Sequence, residues 1–147
     1  MSTPISSILN RKGRQVVTIG PEATVYEAIA RMVDHNVGSI VVVHDQQVVG
    51  IFTERDYLRR IALQGRTSKT TQIREVMTAN VLCVGPRSTV EECMALMTRQ
   101  KCRHLPVLDG TTLVGLISIG DCVRAISEQA RAQVDTLTHY VAGSYPA

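Results

Sequence analysis

Tryptophan is absent from this 147-residue chain, phenylalanine occurs once and tyrosine four times, so aromatics make up only 3% of it. Stacking platforms for single-stranded nucleic acid are therefore scarce. A net charge of +3 is also too mild for bulk phosphate-backbone binding, and nucleic acid is not expected as a partner. The same small basic surplus would suit a phosphate-bearing small molecule if the cations converge on one cleft. Long apolar runs are missing as well. No stretch reaches the about 18 residues that a membrane span needs, and the opening M-S-T-P-I-S-S-I-L-N-R-K-G-R lacks a signal peptide's apolar core. No membrane association is expected, and the chain reads as cytoplasmic. Cys83, Cys93, Cys102 and Cys122 show neither C-x-x-C pairing nor zinc-finger spacing with histidine, so they read as reduced, partly buried thiols with no metal and no catalytic duty. G-x-S-x-G, Walker and H-E-x-x-H patterns are all lacking, which argues against an enzyme and assigns no catalytic residue. What remains, with 44% hydrophobic and 20% charged residues, matches a compact soluble domain.

What is present is a duplication. Pro21 falls on Pro86, Gly50 on Gly115 and Asp56 on Asp121, a constant offset of 65 positions (86 − 21) with no gap. The match runs from Val17 and Leu82 to Ile61 and Ile126. Each copy reads β-α-β-β-α. Val16 to Ile19 is a short strand ended by Gly20-Pro21, and Thr24-x-x-Glu27 caps a helix with the stripe Val25, Ala28, Ile29, Met32, Val33. Thr89-x-x-Glu92 does the same for Val90, Cys93, Met94, Met97. Hairpins follow at 40–43 with 48–52 and at 105–108 with 113–117. The Asp109-Gly110 pair marks the second turn, and Pro106 is expected at an edge or at the start of a ladder. Thr53 and Ser118 then open second helices, with Leu58, Ile61, Ala62 and Cys122, Val123, Ile126 as their buried faces.

A unit of about 60 residues buries too little surface alone, so the copies are expected to pack their sheets together as a pseudo-twofold α+β pair with clefts between them. The boundaries are an N-terminal segment and first repeat over 1–64, a polar linker over 65–73, a second repeat over 74–127, and a helix extension with a loose tail over 128–147.

The stretches G-I-F-T-E-R-D (50–56) and G-L-I-S-I-G-D (115–121) carry the chemistry. Thr53 with Asp56, and Ser118 with Asp121, could be no more than helix caps. Both first helices, however, use Glu at the third position while both second helices use Asp, one methylene shorter and less able to reach back, which favours a second task. A helix start accepts phosphate, aided by the hydroxyl, and an ionised Asp is an acceptor suited to the diol of a ribose. Gly50 and Gly115 would let a purine approach the backbone.

These motifs, with V-M-T at 76–78 and R-H-L-P-V at 103–107, resemble tandem cystathionine-β-synthase (CBS) domains, the pair often called a Bateman module, in its stand-alone form. The resemblance spans about Ile8 to Ile126 and implies the CBS-pair fold, with adenosine compounds such as AMP, ADP, ATP or NAD bound between the copies. It implies that Thr53 and Asp56 serve one site and Ser118 and Asp121 the other, with Ile51 and Leu116 from the same motifs. Arg74, Met77 and Ala79 would line the first site, and Lys12, Gly13 and Arg14 the second. Val37, Gly38 and Ser39, and Cys102, Arg103 and His104, would wall the adenine, with Arg103 and His104 available to phosphate or His104 held structurally. Arg55 aligns with Gly120, and Gly38-Ser39 with Arg103-His104, so the clefts differ and equal occupancy is not expected. The implied function is a stand-alone adenine-nucleotide sensor, a homodimer that signals to a separate regulated protein by a change of shape or assembly. The alternative is a ligand-independent dimeric interaction scaffold.

Overall fold

The computed structural model describes residues 3–141, with side-chain surroundings through 134. Helix α1 (Ile5–Lys12) precedes β1 (Thr18–Ile19), α2 (Val25–Asp34), β2 (Ser39–His44), β3 (Gln47–Thr53) and α3, which starts at Glu54–Asp56 and continues through Tyr57–Ala62. In that continuation the hydrogen bonds reach five residues back, as in Leu63 N–H to Leu58 O at 3.0 Å. The second copy follows with α4 (Val90–Gln100), β4 (His104–Asp109), β5 (Thr112–Ser118) and the long α5 (Ile119–Val141). The tail at 142–147 lies outside the described residues. Among those residues no helix is long and apolar enough to cross a membrane.

In the first copy β1 runs parallel to β2, which pairs antiparallel with β3. The second copy keeps the β4–β5 hairpin, but its first strand shrinks to a single parallel bridge, Val84 to Val107. Proline explains the difference. Val41 donates its N–H to Val17 O at 3.1 Å, whereas its counterpart Pro106 has no N–H and can only accept, from Val84 N–H at 3.0 Å. Pro106 sits inside β4 rather than at its start, and β4 is an edge of its two-stranded sheet, as expected of a strand that holds a proline.

Each copy has its own core, and each core is completed by a segment from elsewhere in the chain. Ile5, Ile8 and Leu9 of α1 pack with Val90, Cys93, Met97, Leu105, Val107 and Ile117 of the second copy. Ile73 and Val76, just before the second copy, pack instead with Ile19, Val25, Met32 and Phe52 of the first. The polar linker is fastened along the way: Thr71 is buried, and its carbonyl accepts from Val25 N–H at 2.9 Å.

The helix stripes read from the sequence are broader than the faces that the sheets cover. Val25, Ala28, Met32, Ile61 and Cys122 are buried as expected, but Val33 is 74% exposed, Leu58 58% and Val123 48%, and Ala62 and Ile126 are exposed too. Each exposed residue lies at the margin of its stripe, next to or a turn away from a buried one, so the helix's 100° turn per residue carries it past the sheet. On the first copy these margins frame an open apolar groove of about 550 Å³ between α2 and α3, lined by Ile29, Val33, Val37, Tyr57 and Leu58 among others.

Candidate functional site

Thr53 and Ser118 end β3 and β5 opposite Ser39 and His104, the first residues of β2 and β4, so each helix start lies against the start of the neighbouring strand. The backbone fixes this junction identically in both copies. Glu54 N–H donates to Gly38 O at 3.1 Å, and Ile119 N–H to Arg103 O at 2.8 Å.

Both carboxylates reach back. Asp56 Oδ2 accepts from Thr53 N–H at 3.0 Å while Thr53 Oγ1 accepts from Asp56 N–H at 3.1 Å, and Asp121 with Ser118 repeats this at 2.9 and 3.2 Å. The expectation that aspartate, one methylene shorter, is less able to reach back is therefore not met. In the first helices the Thr24 and Thr89 hydroxyls accept from Glu27 and Glu92 N–H, while those two exposed glutamates make no such return bond. The shorter chain fits the tight cap, and the longer one extends into solvent. Capping consumes only one oxygen of each aspartate and leaves the other for further partners.

Around the first aspartate, Met77 and Thr78 cross over from the far side of the linker. Thr78 pairs with Ile51, with N–H to O bonds of 2.9 and 3.0 Å in the two directions, and Met77 packs on Gly50. Arg60, which the sequence reading missed, donates to Val76 O at 2.8 Å and Met77 O at 3.0 Å, with its Nε 4.0 Å from Asp56 Oδ1. Its spacing of four from Asp56 on one helix was the available signal.

Around the second aspartate, Lys12 arrives from α1 as expected, donating to Asp121 Oδ2 at 2.7 Å and to Leu116 O at 3.0 Å. Arg124, also missed, donates to Asp121 Oδ1 at 2.8 Å. Burial pushes the Asp121 carboxyl up, but Lys12 and the Ser118 bonds outweigh it and hold the group below the usual carboxylate range. Packing by itself gives Gly50 and Gly115 a reason to lack a side chain: a Cβ on Gly115 would lie 2.6 Å from Leu9 Cδ2, and one on Gly50 would meet Met77.

The remaining candidates are less tightly bound to the helix starts. Arg74 donates to Gln72 and Arg14 to Asn10; Gly13 closes α1 at φ 101°; Ala79, Arg55 and Arg103 are exposed; Val37 and Cys102 N–H bond the α2 and α4 backbones. Ser39 is buried, and its hydroxyl has no hydrogen-bond partner among the described residues. His104 Nε2 lies 4.0 Å from where a Gly38 Cβ would stand, which brings this second-copy ring close to the first copy. Burial pushes its pKa down, opposed by Asp121 and Glu54 and assisted by Lys12 and Arg103. All four cysteines are free thiols, and burial pushes Cys93 up to about 12 and Cys122 to about 11, which leaves both unreactive at neutral pH.

The CBS domain pattern matches this chain twice, at residues 5–63 and 73–128. The mitochondrial CBS domain-containing protein CBSX3 of Arabidopsis thaliana is 40% identical over 153 residues, covering 98% of this chain and 74% of that protein. The crystal structure of a CBS-domain protein from Agrobacterium tumefaciens superposes with a TM-score of 0.80 at 42% identity, over 84% of this chain and 98% of that one. A hexameric CBS-CP12 protein from bloom-forming cyanobacteria superposes at 0.76 with 30% identity, over 90% of this chain and 87% of that one.

Proposed function

Since the chain belongs to the CBS-domain family as a tandem pair, we propose that it is a non-catalytic, cytoplasmic regulatory module that binds adenine nucleotides of the AMP, ATP or NAD class between its copies and signals to a partner protein. One observation carries this reading: two helix starts, each joining a hydroxyl and an aspartate, with the second aspartate held by Lys12 and Arg124, sit where one copy meets a segment borrowed from the other half of the chain. The hydroxyl at a helix start suits phosphate, and the aspartate suits the ribose diol. Charge-assisted bonds of roughly 1.5–3 kcal/mol each, with roughly 0.3–2 kcal/mol from the helix end, are enough for useful affinity. The unpartnered Ser39 hydroxyl, directly across from Thr53, supports the reading further, because a buried polar atom without a partner is costly and a bound ligand would relieve it. Ligand in such a cleft would alter the angle between copies only by favouring one arrangement.

The exposed apolar margins of α2 and α3 supply a surface for homodimerisation, and the hexameric state of the cyanobacterial relative fits a family that assembles. A ligand-free dimeric scaffold is the second reading, and the complete capping boxes favour it, since they give both aspartates a structural duty. A thermal-shift panel of AMP, ATP, NAD, NADH and S-adenosylmethionine separates the two. A sensor melts higher with at least one ligand, and a scaffold melts at one temperature throughout.

A further inference from the structure

The two site carboxylates are unequally committed. An ionised carboxylate offers about four lone-pair sites. Asp121 uses three of them, on Ser118 N–H, Lys12 Nζ and Arg124 Nη2, and its side chain is 4% exposed. Asp56 uses one, on Thr53 N–H; Arg60 Nε at 4.0 Å is beyond hydrogen-bond reach, and the side chain is 14% exposed. A ribose diol gripped by both hydroxyls needs two open sites, which Asp56 has and Asp121 lacks. Lys12 is the group that closes the difference. Its ammonium is held between Asp121 and Leu116 O, on a helix anchored by buried Ile5, Ile8 and Leu9, yet its own side chain is 38% exposed and has room to swing outward. The repeat offset places Met77 at the matching position of the first site (12 + 65), and the cation present there, Arg60, gives its hydrogen bonds to Val76 O and Met77 O rather than to Asp56.

Building on the nucleotide reading, we propose that Lys12 is a latch on the second cleft: it keeps Asp121 closed to a neutral nucleoside and yields only to a ligand whose phosphate draws the ammonium away, while the unlatched first cleft fills first. The phosphate replaces Asp121 as the counter-charge of Lys12, and the released lone pair turns to the ribose. Adenosine and AMP therefore differ in stoichiometry and not only in affinity.

The test is titration calorimetry of adenosine and AMP against the full chain and Lys12→Met, which keeps most of the side chain's length, together with an NMR titration of the Asp121 carboxyl. We expect one adenosine and two unequal AMP per wild-type chain, two adenosine per Lys12→Met chain, and an Asp121 midpoint that rises in the variant. Two equal adenosine sites on the wild type would overturn the latch while leaving nucleotide binding intact. So would a Lys12→Met stoichiometry that stays at one after the Asp121 midpoint has moved, or a midpoint that does not move at all. Binding of neither ligand to either protein would sink the nucleotide reading and the latch with it.

Discussion

Replacing Asp56 with alanine removes a cap and a candidate ligand grip together. Loss of the bond to Thr53 N–H should cost about 1 kcal/mol and lower the melting temperature by roughly 2–4 °C. The informative quantity is therefore the ligand-induced shift, which Asp56→Ala should abolish; a shift that persists at wild-type size would show that the carboxylate holds no ligand. Backbone conformation makes a separate prediction. Lys101 ends α4 in the left-handed region at φ 55°, where the first copy has Asn36 at φ 53°. Asparagine tolerates that region better than lysine, so Lys101→Asn should stabilise by about 0.5 kcal/mol, measured as a rise in urea midpoint. At this scale the sequence made the aspartates legible, because duplication printed the same hydroxyl and acid twice. What it hid was reach: side-chain length alone does not reveal the distance between a carboxylate and a capping N–H, and although Arg124 falls on Arg59 in the repeat, Arg60 falls on Ala125, so the two aspartates draw their arginines from different positions.

Helix α1 is the element whose removal the second copy would feel most. Leu9 is fully buried against Gly115, so Leu9→Ala should cost about 2–5 kcal/mol in denaturant unfolding. Gly115→Ala attacks the same contact from the other side. Its Cβ meets the branched end of Leu9 at 2.6 and 2.8 Å in a closed core and should cost about 1–3 kcal/mol, whereas Gly50→Ala meets half-buried, unbranched Met77 and should cost less. Equal losses in the two alanine variants would mean that α1 is not seated as described. The sequence made α2, α4 and both hairpins readable through period and caps. It gave little sign of α1, whose N-cap Pro4 offers no side-chain bond and which shows only Ile5, Ile8 and Leu9 as a short apolar face. It also implied a second-copy first strand that Pro106 does not allow, because loss of one donor reduces a ladder to a bridge only when the partner strand is already short.

Across the whole molecule, His104 comes close to the first copy at Gly38, and the charges of Asp121 and Lys12 of the second site and of Glu54 at the start of α3 act on it. Burial holds this histidine below its ordinary value of 6.5, and Asp121 is held below 3.8 by Lys12 and Ser118 despite its burial. Both groups therefore bind fewer protons folded than unfolded, and stability must rise with pH wherever that difference is titrating. For His104 the loss begins as pH falls through 6.5 and continues down to its depressed folded value; for Asp121 it begins only below 3.8. The urea midpoint of the wild type should accordingly fall between pH 7 and pH 5, and fall again below pH 4. His104→Gln keeps a polar side chain of similar reach but cannot titrate, so it should flatten the upper step and leave the lower one. Lys12→Met should shrink the acid step, because Asp121 then loses the partner that made its charged form favourable, and should ease the upper step a little, because Lys12 helps to hold His104 neutral. A wild-type midpoint that is level from pH 7 to pH 5, or a His104→Gln profile that keeps the same slope there, would mean that burial does not hold this ring neutral.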